Sequence, residues 1–232
     1  GTRHAVLSSS WTAAMLLLLQ VMELSAGDEV IVPAHTAFPT IEPIILVGAK
    51  PVFVDVDGSY CMDPAQVSAA IGPRTVGIMP VHLYGQPADM DAILELAAQY
   101  KLVVVEDACQ AHGAEYFSKR ENRLRKAGSM GVAGAFSFYP GKNLGACGEG
   151  GAVTTNDSGI AKPIRMIGDH GQAQKDYHSV EGYNGRLDAI QAGILQVKLR
   201  NLDDWNEKRR AAAARYRELF GEIDGRMVLP YE

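Results

Sequence analysis

Cysteine is scarce in this 232-residue chain, with only Cys61, Cys109 and Cys147. An odd count without Cys-x-x-Cys spacing excludes a disulfide framework and a structural zinc site, and fits a reducing cytosol. Long hydrophobic runs are missing too. The longest near the N-terminus, Met15 to Leu19, stops at Gln20 and Glu23, well short of the roughly 20 residues a membrane span needs. No basic region followed by a cleavage site marks a secretory signal. Excess positive charge is also lacking. The 22 Lys and Arg against 27 Asp and Glu give a net charge of -5, which offers nucleic acid no electrostatic footprint. The one basic cluster, Lys119 to Lys126, is broken by Glu121, Asn122 and Leu124 and reads as a solvated loop. No internal repeat or low-complexity tract is present. The sequence therefore predicts a cytoplasmic protein with no metal and with neither nucleic acid nor membrane as a partner.

What is present is ordinary globular usage, 47% hydrophobic and 21% charged, enough for one large α/β domain or one domain with part of a second. From residue 10 to about 110, helical stretches alternate with short β-branched apolar runs, the signature of a parallel sheet covered by helices. Strands are predicted at 29–33, 51–55, 75–80 and 102–106, each built on a continuous apolar run, as strands buried on both faces are. Ser10 or Thr12 can cap a helix reaching residue 24, and residues 88–100 carry helical spacing. Two further strands, 134–139 and 151–155, flank a glycine-rich loop, and two long helices follow at 187–202 and 205–220. At 225–232 a new strand begins and the sequence stops, which predicts that more chain follows.

Asp107 comes directly after the predicted strand 102–106 with its apolar run 102–105, at the carboxyl end of a buried parallel strand, where open α/β sheets bind ligands. Taken alone, such an acid also serves as a helix cap. Lys142 lies between an apolar strand and the glycine-rich turn 143–151, a setting whose desolvation would favour its neutral amine and suit it to Schiff-base chemistry with an aldehyde. The same glycines and lysine could bind a phosphate, but the Gly-x-x-x-x-Gly-Lys-[Ser/Thr] loop is absent: Asn143 follows Lys142 and Gly141 is adjacent to it. An acid after a buried strand and a lysine about 35 residues later are what pyridoxal phosphate requires, one group for the pyridine nitrogen and one for the aldehyde. The hydroxyl of Thr12 and the N–H groups beside it, at a helix start, offer a phosphate site. Ser137 can add a hydroxyl.

Six ordered motifs then mark a family: Gly-Asp-Glu-Val-Ile-Val-Pro (27–33), Val-Phe-Val-Asp-Val-Asp (52–57), Pro-Val-His-Leu-Tyr-Gly-Gln (80–86), Glu-Asp-Ala-Cys-Gln-Ala-His-Gly-Ala (106–114), Phe-Ser-Phe-Tyr-Pro-Gly-Lys-Asn (136–143), and Gly-Tyr-Asn-Gly-Arg-Leu-Asp (182–188) leading into Gln191 and Ala192. The chain resembles the DegT/DnrJ/EryC1 sugar aminotransferases, within the fold-type I enzymes that use pyridoxal phosphate, from Gly1 to about Tyr216. The resemblance implies an α/β fold with a mostly parallel, seven-stranded central sheet flanked by helices. It implies a large cofactor-binding domain over 1–203, with 204–232 a linking helix and the start of a smaller α+β domain. It makes Lys142 the Schiff-base lysine, pairs Asp107 with the pyridine nitrogen, and puts Gln110 near the ring's 3-hydroxyl. Thr12, the N–H of Ala13 and Ser137 would hold the phosphate, and Asn184 would reach the phosphate of the neighbouring subunit in a homodimer with shared active sites.

Two positions depart from the family pattern. Trp11 stands where the family has glycine, so that it crowds the phosphate or lies over the cofactor or substrate. Ala37 stands where an aromatic ring usually stacks on the cofactor, leaving Phe38, His35 or Trp11 to substitute. The activity implied is ping-pong transfer of an amino group from glutamate or glutamine to a keto-sugar, nucleotide-linked in most of the family. Cyclitol ketones and aminobenzoate precursors are the other substrates the resemblance allows, and a non-catalytic regulator is the alternative to an enzyme. A sister dehydratase activity carries histidine at the lysine position, and Lys142 counts against it.

Overall fold

In the computed structural model of the protein, residues 1–221 and residue 229 are described. In chain order they form β1 (His4–Ser8), α1 (Trp11–Val21), β2 (Glu29–Pro33), α2 (Glu42–Leu46), β3 (Lys50–Val54), α3 (Pro64–Ala70), β4 (Thr75–Ile78), α4 (Met90–Tyr100), β5 (Val103–Asp107), β6 (Glu115–Ser118), β7 (Arg123–Lys126), β8 (Ala133–Ser137), β9 (Gly151–Thr155), α5 (Ser158–Ile167), β10 (Gln172–Gln174), β11 (Tyr177–His178), α6 (Ala189–Leu199) and α7 (Leu202–Gly221).

Seven strands make one sheet in the order β1-β9-β8-β5-β4-β2-β3. Each neighbouring pair from β8 to β3 is parallel, and β9 runs antiparallel to both β8 and β1. This is the predicted mostly parallel sheet with flanking helices.

Continuous apolar runs are required because both faces are covered. Successive residues of a strand point to opposite faces. Val30 and Val32 of β2 accordingly join the core packed under α1 and α5, while Ile31 joins the core under α3 and α4. Val105 and Val104 of β5 divide the same way. Helix α1 buries Ala14, Met15, Leu17, Leu18 and Leu19, and each fully buried large aliphatic contributes about 1.5–3 kcal/mol.

Several boundaries move from the sequence reading. Asp107 is the last residue of β5 rather than the residue after it, because its N–H still donates to Pro80 O (2.9 Å) and its carbonyl accepts from His82 N (3.0 Å). Helix α1 ends at Val21, Glu23 having turned to φ 55°. The basic segment 119–126 is not a solvated loop. It is the turn and second strand of the β6–β7 hairpin, where Glu121 pairs with Arg123 and Arg125. Helix α7 starts at Leu202 and runs without a break past 203 and 204. The strand expected at 225–232 lies outside the described residues. Among those described, no helix is long and apolar enough to cross a membrane, and no cluster of three or more His, Cys, Asp or Glu could hold a metal.

Candidate active site

The parallel strands bring their carboxyl ends to one edge of the sheet, and Asp107 lies at that edge, 1% exposed. Its Oδ2 accepts from Thr40 Oγ1 (2.9 Å) and its Oδ1 from the N–H of Cys109 (3.1 Å). Because Thr40 has committed its one proton, Thr36 donates in the 2.7 Å bond between the two threonine hydroxyls. These donors to Asp107 are neutral, as is the Cys109 thiol that also bonds it. Burial holds its carboxyl above the usual aspartate range, against the bonds from Cys109 and Thr40.

Lys142 reaches this acid's neighbour. Its Nζ lies 3.8 Å from Cys109 Sγ, and the thiol is held neutral by burial and by the Asp107 carboxyl beside it. The glycine-rich loop folds back on itself to present the lysine. Lys142 N donates to Tyr139 O, Ala146 N to Phe138 O, and Phe138 N to Gly150 O. A Cβ on Gly145 would stand 2.4 Å from Pro140 O, so that turn requires glycine. Gln110 follows in the loop after β5, with Oε1 accepting from Tyr84 N at 2.8 Å. Gln110 and Asn143 line one open cleft, of about 850 Å³, between the loop after β5 and helix α7.

A second corner forms where α1 begins. Ser10 is the N-cap, its Oγ accepting from Ala13 N at 3.0 Å, so Thr12 lies inside the first turn with its hydroxyl free of the capping role. The Ala13 N–H, expected at the phosphate, is engaged by Ser10 here. Ser137 ends β8 opposite Gly151, and Gly151 is also opposite Ser8 of β1. All three share strand parity with residues packed under α1. A Cβ on Gly151 would meet Ser10 O at 2.3 Å and Trp11 N at 2.7 Å. The missing side chain is therefore what lets the α1 N-terminus settle beside Ser137. The Ser137 hydroxyl accepts from Tyr139 N (3.2 Å), which leaves its own proton to donate.

The remaining expected residues lie further out. Asn184 is exposed, bridged to Asp169, and its Oδ1 accepts from Arg186 N at 3.4 Å. The next residue, Gly185, accepts from Ser9 N, which ties that segment to the start of α1. Phe38 opens a single 3-10 turn and is 66% exposed. Trp11 is turned inward. It is 6% exposed in the core that includes Cys109 and Ala135, with a buried indole N–H that has no partner.

Sequence reasoning missed three supports. Thr40 carried no signal. Glu106, fully buried, accepts from His82 Nε2 and from the N–H groups of Gly128, Met130 and Gly131 (2.6–2.9 Å). Its signal was alternation, since two adjacent acids on a strand must face opposite sides. Asn206 of α7 accepts from Asn143 Nδ2 (2.9 Å) and donates to His112 O (2.8 Å), and so joins the loop carrying Lys142 to the loop after Asp107. His112 is packed against Phe136 and Phe138 with neither ring nitrogen hydrogen-bonded. Burial pushes its pKa down to about 4, the Ser137 backbone acting the other way.

These residues suit a phosphorylated pyridine aldehyde. A buried carboxyl supplied only with neutral donors calls for a protonated partner, an amine stands across a neutral thiol from it, and hydroxyls converge on a helix N-terminus. The whole chain, residues 1–232, matches the DegT/DnrJ/EryC1/StrS aminotransferase family. It is similar to a pleiotropic regulatory protein of Geobacillus stearothermophilus, 47% identical over 228 residues that make up 98% of this chain and 60% of that protein. A dTDP-3-amino-3,4,6-trideoxy-alpha-D-glucose transaminase of Streptomyces venezuelae is 47% identical over 216 residues, 93% of this chain and 55% of that one. The solved structure of NtdA from Bacillus subtilis with bound cofactor PMP superposes with a TM-score of 0.90 at 34% identity, covering 99% of this chain and 52% of that one.

The chain belongs to the DegT/DnrJ/EryC1/StrS aminotransferase family. It spans about 60% of the length of its first curated relatives.

Proposed function

We propose that this chain carries the cofactor-binding part of a pyridoxal-phosphate aminotransferase that moves an amino group from glutamate or glutamine to a nucleotide-linked keto-sugar. The observation that carries the reading is the pairing of buried Asp107, which has only neutral donors, with Lys142 Nζ across Cys109. The Streptomyces relative's name and the PMP in the Bacillus neighbour support it.

Bound pyridoxal phosphate supplies an aldehyde that can take up an amino group and a ring that withdraws electrons from the reacting carbon. Asp107 would hold the proton of the pyridine nitrogen, and Thr40 and Cys109 N orient that carboxyl. Lys142 Nζ would hold the aldehyde carbon, and as a free amine it would be the base for the proton on the donor's α-carbon. Thr12, the first-turn N–H groups and Ser137 Oγ bind the phosphate. Gln110, fixed by Tyr84 N, would serve the ring's 3-hydroxyl.

We assign residues 1–203 to the cofactor-binding domain and 204–232 to the link into a further, smaller one. We also assign the protein to the cytoplasm as a homodimer, in which Asn184 serves the partner's phosphate. Its exposure supports this, as do the uncovered Ile190 and Val197 on one face of α6.

Purified protein incubated with pyridoxal phosphate is expected to show a visible band that moves when glutamate or glutamine is added. Lys142→Ala removes the band. Its absence from the wild type would overturn the enzyme reading in favour of a regulatory one.

A further inference from the structure

Three loops at the carboxyl edge of the sheet each raise one aromatic ring. His35 comes two residues after β2, Tyr60 lies in the loop after β3, and Tyr84 in the loop after β4. The rings meet, with centroids 5.9 Å apart for His35 and Tyr60 and 6.2 Å for each of the other two pairs. His35 Nε2 and Tyr84 Oη are hydrogen-bonded at 3.2 Å.

Both tyrosines have left-handed backbone, φ 65° at Tyr60 and 57° at Tyr84, which is unfavourable for a bulky side chain. Burial does not compensate, since Tyr60 is 39% and Tyr84 69% exposed. The conformations are held from outside. Tyr60 N donates to Asp57 O (3.0 Å), Asp57 N to Cys61 O (2.9 Å), Cys61 Sγ to Gln86 O (3.4 Å), and Tyr84 N to Gln110 Oε1 (2.8 Å). Strain of this kind on exposed rings, enforced by the surrounding bonds, marks a place where the chain gains something other than stability.

We propose that His35, Tyr60 and Tyr84 form a platform that stacks on the nucleobase of the substrate. The proposal rests on the aminotransferase reading above and deepens it. Position selects the base over the reacting sugar. Asp107 ends β5, whereas the rings rise from β4, β2 and β3, one to three strands away, on the order of 5–15 Å at ordinary strand spacing. That is beside the reacting carbon and within reach of a base carried on a diphosphate. Because the three rings touch one another there is no slot between them, so the base lies on their outer faces. Binding energy from this remote part of the substrate can position the keto carbon at Lys142.

The test is titration of dTDP and UDP into purified protein, with the visible cofactor band recorded alongside. Tyr60→Gly and Tyr84→Gly relieve the left-handed backbone, so Tm should hold or rise while nucleotide affinity falls about five- to a hundred-fold, the range for one lost base-aromatic stack. Tyr60→Phe and Tyr84→Phe keep the ring and should keep the affinity. Folded glycine variants with wild-type affinity overturn the platform, as does loss of self-association with affinity intact, which would give the rings to a subunit interface. A wild type that shows the band but binds neither nucleotide also overturns it and leaves the aminotransferase reading standing. Nucleotide binding that needs the rings, without the band, upholds the platform and defeats the aminotransferase reading.

Discussion

Gly151→Ala isolates the claim that a missing side chain builds the phosphate corner. No positive φ is involved at Gly151, so the effect is one of space alone. The new Cβ would stand 2.3 Å from Ser10 O, 2.5 Å from Ser10 C and 2.7 Å from Trp11 N. All three are backbone atoms at a helix start, and none can swing aside as a side chain could. Restoring ordinary contact at 3.4 Å requires β9 or the start of α1 to move by about an ångström. Overpacking of this sort costs about 1–3 kcal/mol, and each kcal/mol lowers Tm by about 2–4 °C in a chain of this size. A fall of about 2–12 °C is therefore expected in a thermal scan of the cofactor-free protein. The same shift separates Thr12 from Ser137, and a misplacement of that size weakens a converging site on the order of 10–100-fold. Fluorescence titration with pyridoxal phosphate reads that loss. Gly193→Ala is the control, since nothing lies within 4 Å of a Cβ there and alanine suits the interior of α6 better than glycine. If Gly151→Ala matches the wild type in both Tm and cofactor affinity, the corner is not built this way.

Two further substitutions separate the adjacent acids. Burial raises the Asp107 carboxyl, so its contribution to stability is fully present below the ordinary aspartate range and is lost as pH rises through the raised folded value. Cofactor-free Asp107→Asn should therefore equal or exceed the wild type in Tm at neutral pH, the gap closing toward pH ~4, while cofactor affinity falls; a variant less stable at pH 7 than at pH 4 relative to wild type refutes this. Glu106→Gln sets an amide NH2 against two donors whichever way it turns. Two orphaned donors at about 1–3 kcal/mol each predict a large loss of Tm, and an unchanged Tm would show that the four bonds are dispensable.

The sequence made the sheet legible because its strands are buried on both faces and so read as unbroken apolar runs. Strand β1 and helix α5 were not legible. His4–Ser8 carries two polar ends in five residues and pairs only with β9 at the sheet's edge. Helix α5 contains Pro163, which removes one backbone donor and breaks the usual helical signal. The hairpin was hidden by charge. Its strands are tied by the Glu115–Lys126 pair, and its turn by Glu121 with Arg123 and Arg125, rather than by an apolar stripe. Within the site, Lys142 and Asp107 could be picked out because each sits at the end of an apolar run. Thr40 and Asn206 could not, since one neutral hydroxyl and one helical amide acquire their roles only when elements 67 and 63 residues apart in sequence meet. Trp11, a departure from the family pattern, is a buried residue whose indole N–H has no partner, and its burial carried no signal in the sequence.

The contrast between Glu106 and Asp107 explains how two neighbouring buried carboxyls come to different work. Alternation along β5 sends Glu106 toward the α3 and α4 side and Asp107 toward the α1 side. Glu106 meets four donors, three of them backbone N–H groups of the segment 128–131, and His82 Nδ1, by accepting from Ala88 N, fixes the tautomer that donates the fourth. Its acceptor capacity is used in holding that segment against the strand. Asp107 meets only neutral donors, the Thr40 hydroxyl and the N–H and thiol of Cys109, in a buried place at the sheet's open edge. A buried carboxyl left with that little compensation is costly without a cationic partner. The fold tolerates it one residue away from a fully satisfied acid, so the deficit at Asp107 is local to that position, and it is the feature on which the proposed pairing with a protonated ring nitrogen rests.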